Sequence, residues 1–120
     1  MSGKLLLLVD DDQAVVDGLA LILSLEGFRV HSLTRGRPVL GTVSSIEPDV
    51  VIMDVTLPDS DGVTIARELR RAWPRLPIIL MSGLDIPRIV EHVADEGIHV
   101  LQKPFEISDL VDLVRRLTAE

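Results

Sequence analysis

Three short apolar runs, each closed by acidic or hydroxyl residues, constrain this chain more than anything else in its 120 residues. Leu5–Val9 ends at Asp10, Asp11 and Asp12; residues 50–53 end at Asp54; residues 77–81 end at Ser82 and Gly83. Four or five consecutive apolar residues, without polar alternation, suit a strand buried on both faces, as in a parallel sheet. Arg29–Leu33 and His99–Gln102 are weaker strand candidates. Helical spacing fills the intervals. Residues 14–26 carry Val15, Leu19, Ile22 and Leu23, and Gly27 ends the helix. Residues 37–46 form a poorer helix with Pro38 in its first turn. Residues 63–73 place Ile65, Ala66 and Leu69 on one stripe before Pro74. Residues 86–96 predict a short fourth helix, and Ile107 or Ser108 opens a last one with Leu110, Leu113, Val114 and Leu117 inward.

Strand and helix thus alternate five times. Right-handed crossovers then require a parallel sheet with helices on both faces. For five strands the expected order is 2-1-3-4-5, a doubly wound α/β fold of flavodoxin-like (βα)5 type. In that order the first and third strands are neighbours, and a crevice opens beyond their carboxyl ends. Asp10, Asp11, Asp12 and Asp54 fall in it, and the fourth and fifth strands bring Ser82 and Lys103 to its rim.

Carboxylates crowded into one crevice repel, so either protons or a cation must share the site. Hard oxygen ligands with no histidine or cysteine suit Mg²⁺. A carboxylate beside such an ion can attack phosphorus, Lys103 can neutralise a phosphoryl oxygen, and the Ser82 hydroxyl can donate to another. Composition narrows the rest. The chain has no cysteine, which excludes disulfides and thiolate chemistry. A net charge of −7 with one Trp, two Phe and no Tyr argues against a nucleic-acid surface. No apolar run reaches membrane-spanning length or a signal-peptide core, so a cytoplasmic single domain over 1–120 is expected.

These residues resemble the receiver domain of bacterial two-component response regulators, of the chemotaxis-regulator type, from Leu5 to about Leu117. The matching stretches are residues 8–12 (LVDDD), 52–62 (IMDVTLPDSDG), 79–83 (ILMSG) and 101–105 (LQKPF). The resemblance implies that Asp54 is the phosphoacceptor. It implies that Asp11 binds Mg²⁺ directly and Asp10 mostly through water, with the Thr56 backbone carbonyl and Asp54 as further ligands. Ser82 takes the switch-hydroxyl position and Lys103 the phosphate-binding position, with a cis bond to Pro104 a candidate. Pro58 and Gly62 shape the loop after Asp54. Such a domain is a signalling phosphoacceptor that assists its own phosphorylation and dephosphorylation. Its partners are a sensor histidine kinase or a histidine phosphotransfer protein, with an output domain or a second copy beyond. Membrane insertion and direct nucleic-acid contact are not expected of it. No output domain lies within these residues, so either a free-standing receiver or part of a longer regulator or hybrid kinase is expected.

The resemblance has one departure. Receivers often carry Tyr or Phe three residues before the lysine; here that residue is Val100, with His99 beside it and Gly97 one residue nearer Lys103 than is common. Output by an aromatic flip is therefore left open, and the 86–96 helix is the expected bistable element. Kinase docking is expected around Ala14, Val15 and Gly18 with Pro104 and Phe105. Val16, Ala20, Leu21 and Leu25 lie off the expected core stripe, either as an exposed patch or buried against the last helix.

Other readings fit less well. A calcium loop starting at Leu57 would use Asp59, Asp61, Gly62 and Glu68, but Leu57 cannot ligate and a strand precedes it. An Asp-nucleophile phosphatase needs a general acid where Thr56 stands. A phosphorylation-independent interaction module would not need the complete residue set. His31, His92 and His99 show no ligand spacing, Trp73 is expected to pack, and Arg67, Arg70, Arg71 and Arg75 to form a solvated face.

Overall fold

The computed structural model describes residues 3–83, 88, 93 and 96–119. Five parallel strands form one sheet: β1 (Leu5–Val9), β2 (Arg29–Leu33), β3 (Val50–Asp54), β4 (Ile78–Ser82) and β5 (His99–Gln102). Their order is β2-β1-β3-β4-β5, as the alternation required. Among the described residues four helices accompany them: α1 (Gln13–Leu25), α2 (Val39–Ile46), α3 (Gly62–Ala72) and α4 (Ile107–Thr118). The helix expected over residues 86–96, its switching role and His92 lie outside the described residues; of that stretch Arg88, Val93 and Glu96 are described.

The central strands explain their own composition. Leu6 and Leu8 of β1, Val50 and Ile52 of β3, and Ile79 and Met81 of β4 face one core with α1 and α4. Leu7, Val9, Val51, Met53, Ile78 and Leu80 face a second core with α2 and α3. Alternate side chains of a strand point to opposite faces, so a strand covered on both sides must be apolar throughout. Each such side chain contributes roughly 1.5–3 kcal/mol on burial. The edge strand β2 is covered less well: Arg29, His31 and Ser32 are exposed.

Helix ends follow from local chemistry. Asp12 caps α1, its carboxylate accepting from the Ala14 and Val15 N–H groups. Asp61 caps α3 through the Val63 N–H, and Arg70 and Arg71 occupy its last turn, where the helix dipole favours cations. The second helix starts at Val39 rather than at residue 37, because Gly36 and Arg37 form a turn whose N–H groups are bonded elsewhere.

One face is revised. Val16 is 1% exposed and packs in the core, with Ala20 packed against it, so neither belongs to a surface patch. Val15 and Ile22, expected inward, are only half-buried. Leu21 and Leu25 are exposed, at 61% and 78%. The inward stripe of α1 is thus Val16, Leu19 and Leu23, with Leu19 and Leu23 as expected.

Candidate functional site

The carboxyl ends of β1 and β3 lie side by side: Val9 pairs with Met53, which places Asp10 and Asp54 next to each other. Asp54 is the last residue of β3 and is 8% exposed; Asp10 is 1% exposed. Asp11, one residue on, is exposed at the mouth. Carboxylate oxygens of Asp10, Asp11 and Asp54 lie within 4.8 Å of one another.

Lys103 reaches this cluster from the end of β5. Its Nζ donates to Asp54 Oδ2 at 2.6 Å and to Asp10 Oδ2 at 3.1 Å. Burial alone would pull the ammonium pKa down. The hydrogen bonds to Asp54 and Asp10, with their charges, outweigh that, and the pKa is raised above its usual value. The remaining oxygens are held by backbone: Asp12 N–H donates to Asp10 Oδ1 and Thr56 N–H to Asp54 Oδ1, each at 3.0 Å. Three carboxylates against one ammonium leave net negative charge, and every donor atom is a hard oxygen. That set fits Mg²⁺.

Ser82 ends β4, one residue beyond Met81, the partner of Asp54, and is 2% exposed. Its carbonyl accepts the Lys103 N–H at 2.8 Å, so the serine and the lysine share one rim. The Lys103–Pro104 bond is cis. Thr56 follows in the loop after β3, joined to Asp61 by an isolated antiparallel bridge. That loop turns tightly at Gly62: a Cβ there would come 2.3 Å from the Asp54 carbonyl oxygen, so only glycine fits.

Several expectations change here. Asp12, expected in the crevice, has its carboxylate engaged as the α1 cap. The calcium reading fails on geometry: Asp61 caps α3, Asp59 binds the Gly36 and Arg37 N–H groups, and Glu68 is exposed on α3. Arg70 is not a solvated face; it donates to the carbonyls of Trp73, Pro74, Leu76, Glu96 and Gly97. Trp73 packs as expected against the second core. His31 is exposed, and His99 is half-buried, its pKa lowered by burial and then by Arg116 and Arg70.

Beside the site, Val15 and Leu19 of α1 with Lys103, Pro104, Phe105 and Ile107 line a mostly apolar groove of about 410 Å³. Of the residues expected around a docking surface, Val15, Pro104 and Phe105 line this groove, and Ala14 and Gly18 do not. No helix among the described residues is long and apolar enough to cross a membrane.

Comparison with known proteins agrees with this architecture. A profile of the response regulator receiver domain matches residues 6–115. The chain is 34% identical over 112 residues to the regulatory protein AtoC of Escherichia coli, covering 92% of this chain and 24% of that protein. It is 37% identical over 115 residues to the response regulator MprA of Mycolicibacterium vanbaalenii, covering 93% and 49%. The chain thus spans half or less of the length of these two relatives. Among solved structures, the BeF3-activated N-terminal receiver domain of Klebsiella pneumoniae RstA superposes with a TM-score of 0.90 at 26% identity, covering 98% of this chain and all of that one.

Proposed function

This chain belongs to the response regulator receiver domain family of two-component signalling, and on that premise we propose that Asp54 accepts a phosphoryl group from a phosphohistidine on a partner protein. The observation that carries this reading is the Lys103 ammonium bridging Asp54 and Asp10 beside a cluster of carboxylate oxygens at the carboxyl end of the sheet. Asp10, Asp11, Asp54 and the Thr56 carbonyl would hold Mg²⁺, which supplies neutralisation of phosphoryl oxygen charge.

In the reaction an Asp54 carboxylate oxygen attacks phosphorus in line. The P–O bond forms as the P–N bond to imidazole breaks, and the imidazole leaves with the electron pair. Little covalent work remains for the protein, so positioning and charge dominate. Lys103 is already at Asp54 and transfers one of its hydrogen bonds to a phosphoryl oxygen. Ser82 donates its hydroxyl to another. The product is an acyl phosphate that adds negative charge where Lys103 had bridged two carboxylates, and both rim residues are drawn toward it. Their loops, after β4 and β5, then carry the switch. Val100 stands where an aromatic would rotate, so the output works without an aromatic flip.

The groove beside Lys103 supports docking of the kinase or phosphotransfer helix, an apolar surface meeting an apolar slot. The receiver is a single domain over 1–120 that works in the cytoplasm, where such kinases present phosphohistidine. It passes its state to an output segment or a second copy, as the greater length of the relatives suggests.

Incubation with acetyl phosphate and Mg²⁺ tests the reading. A labile phosphoryl mass increase is expected, absent in Asp54→Asn and after metal chelation. Sustained turnover of phosphate esters would instead indicate a phosphatase, and no adduct under any condition an inert interaction module.

A further inference from the structure

The loop after β3 closes on itself through the Thr56–Asp61 bridge and a 2.7 Å hydrogen bond from the Gly62 N–H to the Val55 carbonyl. Its tip is also held from outside. Asp59 Oδ1 accepts the Gly36 N–H at 2.7 Å and Oδ2 accepts the Arg37 N–H at 2.8 Å. The Ser60 hydroxyl donates to the same Oδ1 at 3.1 Å. Contact on the other side is as close: a Cβ on Gly36 would come 1.9 Å from Ser60 Oγ and 2.5 Å from Ile65 Cδ1. The turn before α2 therefore lies directly on the loop after the phosphoacceptor. The N-cap of α2 is Pro38, which makes no side-chain capping bond. A carboxylate bound by two successive N–H groups at its start supplies the negative charge that end favours.

We propose that Asp59 is a positioning residue for the chemistry at Asp54: by gripping the Gly36 and Arg37 backbone it fixes the loop that carries Thr56, and with it the Thr56 carbonyl offered to Mg²⁺. This rests on the phosphoacceptor reading above. Thr56 and Asp59 are three residues apart on one short loop. Among the described residues, the Thr56–Asp61 bridge, the Thr56 N–H bond to Asp54 and the packing of Leu57 in the second core hold the base of this loop, and the Asp59 carboxylate supplies the two side-chain-to-backbone bonds at its tip. A metal ligand supplied by backbone is only as well placed as its loop, and outer partners that orient ligands raise metal affinity for this reason. The grip uses both carboxylate oxygens, so it needs the ionised form. The Gly36 N–H bond, opposed by burial and reinforced by Arg37 and Ser60, holds the carboxyl below its usual range.

The test uses the intact chain with Asp59→Ala, Asp59→Asn and Asp59→Glu. Mg²⁺ affinity is read by calorimetry on unphosphorylated protein, and phosphorylation by acetyl phosphate is followed against Mg²⁺ concentration. Asp59→Ala is expected to weaken Mg²⁺ binding about 10-fold. The Mg²⁺ needed for half-maximal phosphorylation rises by the same factor, while the rate at saturating Mg²⁺ changes less than about twofold. Asp59→Asn, with one acceptor oxygen left, recovers part of the loss, and it carries the test if the alanine variant does not fold. Asp59→Glu keeps both acceptor oxygens and recovers more than Asn. Mg²⁺ affinity equal to wild type in both Asp59→Ala and Asp59→Asn overturns the inference while leaving the phosphoacceptor in place. Wild type that takes no phosphoryl group on Asp54 removes the phosphoacceptor reading and the role assigned to Asp59 together.

Discussion

At the carboxyl end of the sheet, Lys103 holds two carboxylates, Asp54 at 2.6 Å and Asp10 at 3.1 Å. At the amino end, Arg70 holds five backbone carbonyls: Glu96 at 2.7 Å, Leu76 at 2.7 Å, Pro74 at 3.0 Å, Trp73 at 3.1 Å and Gly97 at 3.3 Å. Both cations gather segments that the sheet leaves loose, but their partners differ in kind. Carboxylates are charged, titratable and open to a competing cation or an added phosphoryl group, so the Lys103 contacts can be redistributed. Carbonyls are neutral and fixed in the chain, and a planar guanidinium fork suits several at once. Burial lowers the Arg70 pKa against the opposing pull of Glu96, yet the group stays cationic. On the proposed phosphoacceptor reading, one end is built to change state and the other to hold while it does.

The contrast can be broken experimentally, and the largest effect belongs to the carboxyl end. Lys103→Met is expected to slow phosphorylation of Asp54 about 10²- to 10³-fold, the usual consequence of losing one preorganised charge-stabilising group. Rates from acetyl phosphate measure it, and a rate within threefold of wild type would end the comparison. Arg70→Ala is expected to lower unfolding free energy by about 2–3 kcal/mol in urea titration, because several carbonyls lose a charged donor. Phosphorylation by acetyl phosphate should survive in that variant under folding conditions. A variant that keeps its stability but loses phosphoryl acceptance would reverse the two roles.

pH sharpens the difference. The Lys103 pKa is raised in the folded chain, so its stabilising contribution is complete below the ordinary lysine value of 10.5 and is lost as pH climbs through the folded value. Wild type should lose more stability than Lys103→Met above about pH 10.5, while Arg70→Ala should follow the wild-type profile, since arginine does not titrate in that range. Parallel profiles for wild type and Lys103→Met would remove the linkage. The smallest effect lies between the two ends, on the open side of α1. Leu21→Lys should change stability by less than about 0.5 kcal/mol, as exposed positions do, whereas Val16→Lys should unfold the chain.

Much of this was legible before any coordinates. The unbroken apolar runs of β1, β3 and β4 announced strands covered on both sides, and the βα alternation left few topologies. Asp10, Asp54, Ser82 and Lys103 were visible because each directly follows or ends a strand, and parallel strands bring such ends to one edge. Asp59 gave no such sign. Its partners are 22 and 23 residues away and are backbone N–H groups, which no side-chain pattern reveals. Arg70 misled for a related reason: four arginines near one helix end look solvated until the chain folds five carbonyls onto one of them. Asp12 was expected in the crevice with Asp10 and Asp11 because a helix cap and a crevice carboxylate share the same residue type.

The order of elements, the two-sided burial of the central strands and the residue types at their ends were thus set by the sequence, since hydrophobic periodicity and strand direction are properties of short segments. Which carboxylates face the lysine, which become helix caps, which arginine is enclosed, and that Val16 rather than Val15 turns inward were decided only on folding. Those choices depend on contacts between residues far apart in the chain, and the energy of such a contact exists only once packing has brought its partners within reach.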